Sequence, residues 1–85
     1  MTTKQWLMKI AEAVEKWPTL PKDSVEVAMA VTTPAGAMAY IAKTIMDVGE
    51  QAAVLAALPK ISTEDFTEAA RRIRDVAAAL PQASA

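Results

Sequence analysis

The stretch TPAGAMAYIAKTIMDVGEQAAVLAAL, residues 33–58, decides the predicted fold because its apolar residues have the spacing of one long helix. Thr33 can cap the free N–H groups of the first turn, and Pro34 suits the first helical position because it has no N–H to satisfy. Pro59 ends the helix, because the residue before a proline is disfavoured in helical geometry. Six apolar residues recur at steps of three and four, which places them on one stripe: Met38, Ile41, Ile45, Val48, Ala52 and Leu55.

Shorter helices are predicted on both sides of this long helix. The first covers about residues 4–17, is capped by Thr2 or Thr3, and has an apolar face of Trp6, Leu7, Ile10, Ala11, Val14 and Trp17. A second, of about two turns, covers residues 25–31. The last follows Ser62 or Thr63 as its cap, runs to about residue 80, and buries Phe66, Ala69, Ala70, Ile73, Val76, Ala77 and Leu80.

These patterns predict an all-α protein, a small bundle of about four helices around the long helix at roughly 33–58. The first and last helices are expected on either side of that central helix. Residues 1–80 form the predicted single domain, and residues 81–85 form a predicted flexible tail. Of the 85 residues, 53% are hydrophobic but only 5% are aromatic. Because each alanine buries little area, we expect some of the stability to come from a partner or from self-association.

The composition argues against an enzyme. The chain has no cysteine and no histidine, so it lacks the usual nitrogen and sulfur ligands of zinc and the usual base for a nucleophilic serine. The spacing of its grouped carboxylates places them on solvated helix faces or at a helix N-terminus: Glu12 with Glu15, and Glu64, Asp65 and Glu68. The sequence therefore predicts a non-enzymatic protein with no catalytic residue, no cofactor and no metal site.

The distribution of charge argues against nucleic-acid and membrane partners. Nine basic and ten acidic residues give a net charge of −1, and no segment has a basic excess. The longest uncharged run, residues 27–42, is sixteen residues long, and a membrane-spanning helix needs about 20 predominantly apolar residues. The first residues mix charged with apolar positions, unlike a secretory signal. The expected location is the cytoplasm.

Residues 25–45, VEVAMAVTTPAGAMAYIAKTI, resemble the helix-turn-helix of bacterial transcription regulators. Ala28 stands where that motif has a small residue in its first helix, and Met38 and Ile41 match apolar positions of its second helix. The resemblance implies a small DNA-binding regulator. Thr32 departs from the glycine usual in the turn, and the second helix offers few of the polar side chains that read base edges. Two packed helices joined by a short turn is therefore the preferred interpretation, with DNA binding as the alternative.

DNA binding would depend on Lys43 and on the one basic cluster of the sequence, Arg71, Arg72 and Arg74. Acidic residues are interleaved with these arginines, so the preferred interpretation is a solvated, ion-paired helix face. A second resemblance concerns Asp23-Ser24-Val25, which is similar to the Asp-Ser-Leu site at which acyl carrier proteins carry phosphopantetheine. The long loop and the strong acidity of that family are absent, so we interpret these residues as helix caps.

A second set of apolar residues lies off the buried stripe of the long helix. Tyr40, Val54 and Leu58 project to its polar side, and Met46 lies between the two sides. Tyrosine and methionine suit contact surfaces, although another helix of the same chain could equally cover these positions. We predict a protein–protein interaction module, a homo-oligomer, adaptor or inhibitor, with Tyr40, Met46, Val54 and Leu58 as its partner-binding residues. The predicted partner is another protein or a second copy of the chain.

Overall fold

The computed structural model describes residues 2–19, 29, 31–45 and 48–80, without the side chains of 45 and 48–51. This part of the chain contains four helices. The helices are α1 (Thr3–Lys16), α2 (Pro34–Ile45), α3 (Val48–Ala57) and α4 (Phe66–Ala79). A short 3-10 turn, Trp17–Thr19, follows α1. These ranges include no strand, which confirms the prediction of an all-α bundle of four helices.

Most of the predicted helix at residues 25–31 lies outside the described residues, as do Ser24 and the predicted tail at 81–85. Within that range only Met29, which is helical, and Val31 are described. The domain boundary and the carrier-like site therefore remain predictions.

Local hydrogen bonds fix where α1 and α4 begin. The hydroxyl of Thr2 accepts the N–H of Gln5 at 3.1 Å, and the Gln5 side chain accepts the N–H of Thr2 at 2.9 Å, which makes a capping box. At α4 the cap is Asp65, whose carboxylate accepts the N–H groups of Thr67 and Glu68 at 2.9 and 3.3 Å. The predicted caps Ser62 and Thr63 are thus wrong for α4. An aspartate can also accept two backbone N–H groups here, and its charge is favoured at a helix N-terminus.

α1 lies at the centre of the bundle, in place of the helix predicted at 33–58. It contacts each of the other three helices, and its contact with α4 is the most extensive in the structure. Eight fully buried residues come from the facing sides of these two helices: Leu7, Ile10, Ala11, Val14, Ala69, Ala70, Ile73 and Ala77. The four alanines among them allow the two backbones to approach closely, because their side chains end at the β-carbon.

The range predicted as one long helix contains two helices, α2 and α3, joined by residues 46 and 47, which lie outside the described part. Val54 is only 1% exposed, whereas Leu55 is 37% exposed and Ala52 is also exposed. On a single straight helix Val54 would lie about 160° round the axis from the buried Met38. Both residues nevertheless belong to one core, so the predicted burial of Ala52 and Leu55 on a shared stripe is wrong.

No helix in the described ranges combines the length and the apolar run that a membrane crossing requires.

Candidate functional site

The four predicted partner-binding residues do not form a shared exposed surface. Val54 is buried in the core of its own chain, and Tyr40 and Leu58 are half-buried against that core. Met46 lies outside the described residues. The premise that these residues are exposed together is therefore wrong for Val54, which faces inward because α3 packs on α1. Whether any of the four binds a partner stays a prediction.

Tyr40 takes part in an aromatic contact inside the protein. Its ring meets the ring of Trp17 edge to face, with centroids 5.8 Å apart and planes at 64°. Trp17 is 6% exposed, and its indole Nε1–H donates a hydrogen bond to the carbonyl of Val31 at 3.0 Å. These contacts attach the chain that leads into α2 to the C-terminal end of α1. Tyr40 thus has a structural role that its position in the sequence did not indicate.

The outward side of α3 presents a group of exposed apolar residues. Its exposed residues are Ala52, Ala53, Leu55 and Ala56, which we name the α3 outward face. None of these four side chains carries a charge or a hydrogen-bonding group. The inward side of the same segment is Val54, Ala57 and Leu58. A helical segment that is apolar on both sides, as residues 52–57 are here, normally lies between two neighbours.

The side of α3 predicted to be exposed is the side that the structure buries, as Val54 shows. Residues 52–58, AAVLAAL, contain no polar residue at all. A polar residue is what marks the solvent side of an amphipathic helix, so the pattern within this segment contains no such mark. The prediction instead extended the stripe of α2 across residues 46 and 47 into α3, and the burial of Val54 together with the exposure of Leu55 contradicts that extension. The exposed apolar residues are therefore different ones from those predicted.

The outward sides of α1 and α4 are charged, in contrast to α3. On α1 the Lys16 ammonium lies 3.0 Å from the Glu12 carboxylate. Ala13 and Lys9 complete with them a shallow, open depression of about 300 Å³. Two further large apolar residues of the described part are exposed elsewhere, Met8 at 43% and Met29 at 75%. Met8 lies off the buried face of α1, as its position in the sequence indicates.

The three arginines of the basic cluster are ion-paired. Arg71 donates to Glu68 and, at 2.8 Å, to Asp75, and Arg72 donates to Glu68 at 3.3 Å. Arg74 reaches across to α1 and donates two hydrogen bonds to Glu15, at 3.0 and 3.3 Å. The cluster is thus neutralised by carboxylates, which favours the predicted ion-paired face over a phosphate-binding surface.

These pairs lower the pKa values of the carboxylates involved. The hydrogen bond from Arg71, assisted by Arg72 and opposed by partial burial, lowers the pKa of Glu68 from the usual 4.5 to about 2. The hydrogen bond and the charge of Arg74 likewise lower the pKa of Glu15. A carboxylate held in its ionised form by neighbouring arginines is a poor general acid or base near neutral pH. The geometry around Glu15 and Glu68 therefore supports a structural role for both.

The helix-turn-helix alternative stays a prediction. Lys43 is exposed near the end of α2, but most of the helix that would precede α2 in that motif lies outside the described residues.

Among the described residues, no three side chains that could bind a metal ion lie together, and no polar or charged residue is buried. The chain matches no protein-family model, no curated protein and no solved structure.

Proposed function

We propose that the protein is a non-enzymatic protein–protein interaction module that binds its partner through the α3 outward face. The observation that carries this proposal is the exposure of Ala52, Ala53, Leu55 and Ala56 together on one helix. A partner that covers them removes apolar area from water without stripping water from any charged side chain of that face.

The residue types of this face suit a helical partner. Ala52 and Ala56 lie one turn apart, so a second helix can approach the backbone of α3 closely between them. Leu55 supplies a larger side chain that can fit between the residues of the partner helix. The facing surface on the partner must also be uncharged, because a charge placed against this face would lose its water without gaining a counter-charge. A homo-oligomer, an adaptor and an inhibitor all meet these conditions, and they differ in the partner.

The experiment that tests this proposal introduces two charges into the α3 outward face. In the variant Ala52→Glu/Ala56→Lys the opposite charges stand four residues apart on one helix, an arrangement that stabilises a helix by roughly 0.3–0.5 kcal/mol. We expect the helical circular dichroism and the thermal midpoint to stay within a few degrees of the wild type. Association should be lost, because binding would now bury two charges. Sedimentation measures self-association, and capture from the host lysate followed by mass spectrometry measures a different partner.

Met8→Glu is the matched control, since Met8 is exposed to a similar extent as Leu55 but lies on α1. It should associate as the wild type does. If Ala52→Glu/Ala56→Lys also associates like the wild type, the assignment of the surface is wrong. If the wild type neither self-associates nor captures a protein that this variant loses, the proposed function is wrong. Substitution of Val54 by aspartate cannot serve as the test, because it would bury a charge in the core and unfold the protein.

A further inference from the structure

We draw no further inference here: the strongest candidate, the outward apolar face of α3, belongs to the surface already described, and nothing in the structure shows what covers it.

Discussion

Trp17 illustrates how one side chain links distant parts of this chain. It follows directly after α1, yet its indole N–H donates to the carbonyl of Val31, fourteen residues later. Its ring also contacts Tyr40 in the middle of α2. A buried tryptophan needs a partner for its N–H, and a backbone carbonyl satisfies it here. The residue therefore acts through a hydrogen bond and a ring contact as well as through its apolar area.

Replacement of Trp17 by phenylalanine should lower the free energy of unfolding by about 1–3 kcal/mol. Phenylalanine keeps an aromatic ring but removes the hydrogen bond to Val31, worth about 1 kcal/mol, and leaves unfilled space beside Tyr40. Urea unfolding followed by circular dichroism measures the loss. Trp6→Phe is the control, since Trp6 is only half-buried on α1. This variant should lose less free energy of unfolding than Trp17→Phe. Equal losses in the two variants would contradict the role assigned to Trp17.

The ion pairs of Glu68 predict how stability depends on pH. The folded state holds the pKa of Glu68 at about 2, against a usual value of 4.5. A lowered pKa contributes stability at pH values above the usual one, and that contribution is lost as the pH falls from about 4.5 towards 2. We therefore expect the contribution of Glu68 to the free energy of unfolding to be constant near neutral pH and to decrease below about pH 4.5.

Glu68→Gln tests this expectation, because glutamine does not titrate. The variant should show a shallower decrease in stability between about pH 4.5 and pH 2 than the wild type, measured by denaturant unfolding at a series of pH values. Addition of Glu15→Gln should flatten the decrease further, since Arg74 lowers the pKa of Glu15 in the same direction. An unchanged slope in both variants would mean that these ion pairs are not maintained in solution.

At the scale of the element, α3 differs from the other helices because its residues 52–57 include no polar side chain that would mark an outer side. Val54 is 1% exposed and its neighbour Leu55 is 37% exposed. A continuous helix over 33–58 would instead bury Leu55 with Met38 and expose Val54. The two arrangements therefore assign opposite roles to adjacent residues.

Val54→Ala and Leu55→Ala distinguish these arrangements. We expect Val54→Ala to cost about 2 kcal/mol, from two buried methyl groups and the cavity that they leave. Leu55→Ala removes a larger side chain but should cost about 1 kcal/mol or less, because Leu55 is partly exposed. Denaturant unfolding of both single variants shows which of them loses more free energy of unfolding. The reverse order would support one continuous helix instead of α2 and α3.

At the scale of the whole molecule, stability depends most on the contact between α1 and α4. α1 lies against all three other helices, and its contact with α4 is the most extensive. Fully buried alanines line that contact on both helices, among them Ala11 and Ala77. Close-packed interiors tolerate added volume poorly, because neighbouring side chains must leave their preferred rotamers.

Ala77→Leu should therefore lower the free energy of unfolding by about 1–3 kcal/mol. Ala78→Leu is the matched control on the next residue of α4: it adds the same side chain at an exposed position, where surface substitutions usually change stability by about 0.5 kcal/mol or less. Thermal or denaturant unfolding of both variants gives the comparison. Similar values for the two variants would show that α4 does not pack on α1 through Ala77.

The sequence by itself determined the helical class, the limits of α1 to within one residue and those of α4 to within about three, and most of their buried residues. In each of those helices apolar residues alternate with charged ones, so the sequence itself indicates which side is buried and which is exposed. Only the tertiary structure decided that α1 is central and that α3 buries Val54 while Leu55 faces outward. Residues 52–58 are apolar on every side, so periodicity within this segment cannot orient it, and packing against α1 decides which side is buried and which side is exposed.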